Sequence, residues 1–234
     1  MVINFGLQNT PATFQRVMNK LLQPIKAKYR KDVQGYMNDV LIATKNDLEY
    51  HWKVVKAVLS IMKKESFFLK SEKCEFEKWY VEYLGMLLED GTIQLNPSKV
   101  AGLKEWPITL KSVKEVWSTL EVLGYQQAFI AGFAKIAKPL TNLLKKNQPF
   151  KWTNECTDAI KELIHCVTTH PILIHLDPTK TFKLEVDASN YTTGAILFQR
   201  DNKGKPCPIG YNSRTFNEAE WQYDIYDKKL TAIN

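Results

Sequence analysis

Four consecutive residues, Tyr36-Met37-Asn38-Asp39, are the part of this 234-residue chain best suited to chemistry. They lie between Lys31-Asp32-Val33-Gln34-Gly35 and the apolar run Val40-Leu41-Ile42-Ala43. That order predicts a strand, a tight turn and a second strand, with a carboxylate held at the tip. A displayed carboxylate is a hard oxygen donor of the kind Mg²⁺ takes. Its neighbour in the turn is an amide. Asn is a good turn former in any such hairpin, which accounts for Asn38 without chemistry. A second group, His165, Cys166 and His170, carries nitrogen and sulfur donors, but its spacing matches no zinc pattern and reads as packing. Cys74, Cys156, Cys166 and Cys207 form no Cys-x-x-Cys pair and read as buried or incidental thiols of a reducing compartment.

The elements that must position these residues follow from periodicity. Thr10-Pro11-Ala12-Thr13 reads as a helix start, with Thr10 as the hydroxyl cap. Phe14, Val17, Met18, Leu21 and Leu22 then recur on one helical face. Asn46-Asp47 caps a second helix with Leu48, Trp52, Val55, Val58, Leu59 and Met62 on one side. Residues 66–76 and 81–88 read as strands, and Glu89-Asp90-Gly91-Thr92 as a turn. Pro97 opens a short helix that Trp106-Pro107 closes. Ser112 caps the next, and helical segments are expected over 128–144 and 153–167. Residues 181–187, 194–199 and 208–213 read as strands, with a hairpin turn over 201–205 and a helix from Glu218 onward. Helix, hairpin, helix and strands make an α+β plan with an antiparallel sheet. The final helix is still running at Asn234, so the last sheet is expected to need further cover.

Bulk properties narrow the class. Hydrophobic residues make up 44% of the chain, which excludes a disordered protein. The formal net charge is +7, which favours an anionic partner such as nucleic acid. No apolar run reaches the roughly 20 residues of a membrane-spanning helix, so no membrane partner is expected.

The motifs, taken in order, resemble the reverse transcriptase and ribonuclease H of gypsy-type (Ty3-like) LTR retrotransposons. Phe5-Gly6-Leu7-Gln8-Asn9-Thr10-Pro11-Ala12-Thr13-Phe14-Gln15 is similar to the family's Phe-Gly-Leu-x-Asn-Ala-Pro-Ala-Thr-Phe-Gln segment. Tyr36 to Asp39 is similar to its Tyr-x-Asp-Asp turn. Lys73-Cys74-Glu75-Phe76 and Val81-Glu82-Tyr83-Leu84-Gly85 resemble the primer-gripping segment. Trp106-Pro107, Phe129-Ile130 and Ile136-Ala137-Lys138-Pro139-Leu140 resemble the helical region after the palm. Val186-Asp187-Ala188-Ser189 and Tyr211-Asn212-Ser213-Arg214 resemble the start of the ribonuclease H domain. The similarity runs through the whole chain.

This resemblance implies a partial palm over 1–92, a helical thumb or connection region over 93–175, and the first half of a ribonuclease H-like α/β domain over 176–234. It implies template and nucleotide contacts by Phe5, Gly6, Asn9, Pro11, Gln15, Tyr36 and Met37, and a primer grip at Leu84 and Gly85. It implies RNA, DNA, RNA–DNA hybrid and deoxynucleotides as partners, and Mg²⁺ as cofactor. The family's polymerase holds two Mg²⁺ ions with three aspartates. The aspartate of an earlier strand would precede Met1, the first of the turn pair is Asn38, and Asp39 remains. The family's ribonuclease H uses the aspartate at Asp187 and a glutamate in a Lys-Glu-Leu-x-Ala-Ile helix. Here that stretch is Lys228-Lys229-Leu230-Thr231-Ala232-Ile233, with a cation at the ligand position. An ammonium cannot ligate Mg²⁺. Glu218 and Glu220 match no ligand position and read as helix N-terminal charges.

The expectation is therefore a retrotransposon-derived reverse transcriptase–ribonuclease H fragment, catalytically inactive because of Asn38, Lys229 and truncation at both ends, with weak or empty metal positions at Asp39 and Asp187. The alternatives are residual or complemented polymerase and nuclease activity, and a non-catalytic nucleic-acid binder using Arg16, Lys20, Lys26, Lys28, Arg30 and Lys31. Ile3, Thr10, Asn38, Glu121, Gln127 and Lys229 stand where the family usually has Met, Ala, Asp, Gly, Arg and Glu. Each change can arise from a single G-to-A transition, a pattern expected of cytosine deamination on one DNA strand.

Overall fold

The computed structural model describes residues 9–231 apart from 30, 46, 90, 147, 170 and 171. The chain packs as two compact units, Met1–Lys78 and Trp79–Asn234.

In the first unit, helix α1 (Thr10–Lys28) precedes an antiparallel hairpin of β1 (Val33–Tyr36) and β2 (Asp39–Ile42), and α2 (Leu48–Lys64) follows. Thr10 is the first helical residue of α1. Asn9 takes the cap position without a side-chain cap bond, which corrects Thr10 as the cap. α2 starts as its sequence predicts, with the Asp47 carboxylate accepting from the Tyr50 backbone N–H at 2.9 Å. Met18, Leu21 and Leu22 of α1 meet Val54, Val58 and Met62 of α2 over Val33 of the hairpin. Leu48 is left exposed at the helix start and Val54 takes the buried position instead. The strand expected over 66–76 does not form. Ser66 sits at φ 58, a short 3₁₀ turn covers Ser71–Lys73, and Phe68 is almost fully exposed. The apolar run there supplies β propensity but has no neighbouring strand to pair with among the described residues.

The second unit opens with a meander, β3 (Tyr80–Tyr83), β4 (Met86–Glu89) and β5 (Thr92–Leu95), which the short β6 (Leu173–Ile174) joins from a distance. The single strand expected over 81–88 is thus two, folded back at Leu84-Gly85. Helices α3 (Pro97–Lys104), α4 (Val113–Gly124), α5 (Phe133–Ile136), α6 (Lys138–Asn142) and α7 (Asn154–Thr169) follow. The continuous helix expected over 128–144 is broken because Gly132 adopts φ 66 and Pro139 lies in the first turn of α6. Leu103, Leu123, Ile130, Leu140, Ile160 and Leu163 fill the helical core. A three-stranded antiparallel sheet, β7 (Phe182–Ala188), β8 (Thr192–Arg200) and β9 (Pro206–Thr215), leads to α8 (Ile225–Thr231), which packs on β7 and β8. Together the elements are the mixed α+β architecture the sequence predicts.

Candidate active sites

The hairpin of the first unit is closed by a two-residue turn, Met37-Asn38, with Tyr36 paired to Asp39. Met37 adopts φ 52, a region a side chain disfavours by about 1 kcal/mol. Hydrogen bonds from α1 hold it there. Gln15 Oε1 accepts the Met37 N–H at 2.6 Å, and Gln15 Nε2 donates to the Gly35 carbonyl at 3.3 Å. Gly35 lies so close to α1 that a Cβ on it would sit 2.6 Å from Leu22 Cδ1. The base of the hairpin is braced separately: the Tyr50 hydroxyl donates to Asp32 Oδ2 at 2.7 Å, and the Asp32 N–H donates to the Tyr29 carbonyl. The carboxylate of Asp32 raises the Tyr50 pKa by holding the phenol proton. Tyr36, Asn38 and Asp39 are exposed at the end of this braced hairpin.

A second turn of the same size, Leu84-Gly85, sits between β3 and β4 with φ 52 and 71. Two consecutive positive φ values are the type I′ geometry that suits a hairpin's twist. The Tyr125 hydroxyl at the end of α4 donates to the Leu84 carbonyl at 2.6 Å. The Asn96 N–H approaches the Gly85 carbonyl at 3.4 Å, and a Cβ on Gly85 would lie 2.5 Å from Lys99 Nζ. The helical region thereby fixes the turn.

At the sheet of the second unit, Asp187 lies on β7 opposite Gly194 and is exposed, its Oδ1 accepting the Ala188 N–H at 2.9 Å. On α8, Lys228 is buried and Lys229 exposed. Glu220 is drawn away from any cation site. Its carboxylate makes two bonds to Arg214, at 2.7 and 2.8 Å, and accepts the Asn217 N–H. The guanidinium first, and the backbone bond second, lower its pKa from 4.5 to about 2. Glu220 therefore locks Arg214 and the turn before α8. Ser213 accepts the Ala134 N–H at 2.9 Å and so caps α5, whose own cap residue is a glycine.

Comparison with known proteins matches this order of parts. Residues 1–88 match the family model described as reverse transcriptase (RNA-dependent DNA polymerase), and residues 152–234 match the RNase H-like domain found in reverse transcriptase. The Tf2-3 and Tf2-7 transposon polyproteins of Schizosaccharomyces pombe are each 33% identical over 233 residues, which is 100% of this chain. The chain belongs to the retrotransposon reverse transcriptase–ribonuclease H family. It spans 17% of the length of those two polyproteins. The foamy viral protease–reverse transcriptase shares the fold. Its structure with RNA/DNA hybrid matches 99% of this chain and 30% of its own, at TM-score 0.76 and 21% identity. Its structure with dsDNA matches 99% and 47%, at TM-score 0.75 and 22% identity.

The reverse transcriptase part brings Gln15, Met37 and the Asn38-Asp39 tip together, while Asn9 and Pro11 lie exposed at the start of α1. Phe5 and Gly6 lie outside the described residues. Sequence reasoning assigned Gln15 to template contact, and the fold engages its amide with the turn. It missed Tyr125 and Lys99, which reach the Leu84-Gly85 turn from far along the chain and carry no local signal. Ser213 and Arg214 were found as a motif without a role.

Reverse transcriptases and ribonucleases H are generally Mg²⁺-dependent, and the donors present here can be set against that need. The polymerase turn offers the Asp39 carboxylate beside an amide, and an amide carries no charge to neutralise the ion. The ribonuclease H part offers Asp187, with a lysine on the adjoining helix. Among the described residues, no group of three or more His, Cys, Asp or Glu is arranged to hold a metal ion. These donor sets do not fit a two-metal centre.

Proposed function

We propose that this chain is a reverse transcriptase–ribonuclease H segment of a retrotransposon polyprotein that binds primer–template duplexes without turning them over. In this reading residues 1–92 act as palm, 93–175 as thumb or connection, and 176–234 as the leading part of the ribonuclease H domain. Asn38 carries the proposal. It occupies the tip of a hairpin that is otherwise fully braced, so the scaffold survives where the second carboxylate is missing. A unit charge at 4 Å is worth roughly 4 kcal/mol at an effective dielectric of 20. Even a heavily discounted loss lowers metal affinity or rate by about three decades. Lys229 supports the same conclusion for the ribonuclease H centre.

Binding is supported by the exposed cations Arg16, Lys20 and Lys28 on α1 and Lys31 just beyond it, and by the foamy viral relatives solved with dsDNA and RNA/DNA hybrid. Such contacts are to phosphates and carry no sequence preference. The test is direct. The purified chain is titrated with a labelled RNA–DNA hybrid at increasing salt, and assayed for Mg²⁺-dependent primer extension and hybrid cleavage. Affinity should fall on the order of a hundredfold between about 50 and about 200 mM salt, with extension and cleavage at background. Extension above background refutes the loss of catalysis, and failure to bind the hybrid refutes the retained scaffold.

A further inference from the structure

Within the second unit, the helical region meets the sheet β7–β9 along residues 125–138. The 3₁₀ turn Gln127–Phe129 and helix α5 both pack on β9, and α5 reaches β8 as well. Three side chains fasten this stretch to its surroundings. Tyr125, just ahead of the 3₁₀ turn, donates to the Leu84 carbonyl at 2.6 Å. Ser213 of β9 accepts the Ala134 N–H at 2.9 Å. Lys138, the first residue of α6, holds its Nζ 3.5 Å from the centroid of the Tyr191 ring, in the turn between β7 and β8. A cation in the first turn of a helix opposes the helix dipole, so α6 itself gains nothing from Lys138. An ammonium over an aromatic face is attracted by the ring's quadrupole. The ring is itself fixed. Trp221 stands edge-on to it at 6.5 Å and 79°, and the Tyr191 carbonyl accepts the Phe216 N–H at 2.9 Å. Ser189 Oγ closes the same turn by accepting the Thr192 N–H at 3.0 Å. Lys138 therefore grips a preformed turn that directly follows the strand carrying Asp187.

We propose that residues 125–138 are a rigid bracket, latched by Lys138 on Tyr191, that makes the Leu84-Gly85 turn and the strand carrying Asp187 move as one body. A single contact between two elements leaves a pivot. Here Tyr125 fixes the bracket to the Leu84-Gly85 turn, Ser213 fixes it to β9, and Lys138 fixes it to the β7–β8 turn. Swinging about any one attachment strains the other two. Each attachment joins residues at least 41 apart in sequence, so chain connectivity alone does not supply the coupling. The bracket stands on these contacts whether or not the chain binds a duplex. On the function proposed above, it fixes the spacing between the primer-gripping turn and the ribonuclease H part.

The experiment is native-state hydrogen exchange of the full 234-residue chain in rising urea, without nucleic acid, following amides of β8 and of α7. In the wild type the two sets should converge on one opening transition. Lys138→Met keeps most of the stem and removes the charge. It should speed exchange of the Ser189 and Phe216 amides, which bond at the β7–β8 turn, about three- to fivefold. Lys138→Arg keeps a cation for the ring and should stay within about 1.5-fold of wild type. In a Tyr191→Leu background Lys138→Met should have no further effect, because the contact is already gone. Lys138→Met with Ser213→Ala should release the sheet. Its β8 amides should exchange about fifteenfold faster than in the wild type and open at lower urea in a transition of their own, ahead of α7. Separate opening of β8 and α7 in the wild type would overturn the bracket, as would a double variant in which they still open together. Lys138→Met within about 1.5-fold of wild type, Lys138→Arg as damaging as Lys138→Met, or a full effect of Lys138→Met without the Tyr191 ring would overturn the latch.

Discussion

The turn that presents Asn38 and Asp39 is held by one side chain, and removing it should loosen the hairpin by a calculable amount. In Gln15→Leu the Met37 N–H loses its 2.6 Å acceptor and the Gly35 carbonyl its 3.3 Å donor. The bond from Gln15 to Asn19 is solvent-exposed and adds little. Each part-buried bond is worth about 1 kcal/mol net, so the loss is about 2 kcal/mol. Met37 at φ 52 stores about 1 kcal/mol of backbone strain that those bonds offset. The readout is native-state hydrogen exchange at the amides of β1 and β2. Protection should fall roughly thirtyfold, at about 1.4 kcal/mol per decade, while α7 in the other unit is unchanged. Adding Met37→Gly should recover roughly a third to a half of the loss by removing the strain. Protection within about twofold of wild type in Gln15→Leu would refute the clamp, and would return Gln15 to a free template contact.

Three further outcomes are expected. Glu220→Gln should destabilise the second unit at neutral pH, and the difference should fade on acidification. A carboxylate whose pKa is lowered from 4.5 to about 2 in the folded state gives stability present above 4.5 and lost between 4.5 and 2. Urea midpoints measured from pH 7 to pH 2 check this, and a difference that is constant with pH contradicts it. Gly85→Ala should cost about 1–2 kcal/mol, because φ 71 disfavours any Cβ. Adding Lys99→Ala should not restore it, since the strain lies in the backbone rather than in the contact with a movable ammonium. Tyr125→Phe should raise exchange of the Leu84-Gly85 turn about fivefold, by removing a bond to the Leu84 carbonyl worth about 1 kcal/mol, with α7 as the unaffected control.

Much of the fold was legible because its signals are local. Asp47 and Ser112 sit directly ahead of apolar helical patterns, and both accept helix N–H groups as caps. The hairpin at Asn38 follows from a turn former set between Lys31-Asp32-Val33-Gln34-Gly35 and the apolar run Val40-Leu41-Ile42-Ala43. The misreadings share a cause. Residues 66–76 have strand composition, yet pairing depends on a partner that local sequence does not name. The apolar run 81–88 hid a turn, because Leu84 takes a positive φ that leucine's propensities argue against. The two-residue β6 gains its place by pairing with β5, about eighty residues away, and nothing within it announces a strand.

The candidate sites divide in the same way. The chemistry-bearing residues were read by type through the resemblance: an amide at position 38 and a cation at position 229, where the family usually has carboxylates. Their supports were not. Gln199 is buried and bonds the loop ahead of β7 through Asp177 and Lys180. Nothing in its immediate sequence marks it as the residue that ties this loop to β8. Tyr50, Gln15, Tyr125 and Ser213 act across 18 to 79 residues of sequence, distances over which no local pattern operates.

Calorimetric titration of Mn²⁺ into the chain and into an Asn38→Asp/Lys229→Glu variant tests the loss of metal centres most directly. The wild type should show no saturable binding tighter than about 1 mM, and the variant should gain measurable heat as each centre regains a carboxylate. Saturable binding of two ions per wild-type chain at micromolar affinity would contradict the account.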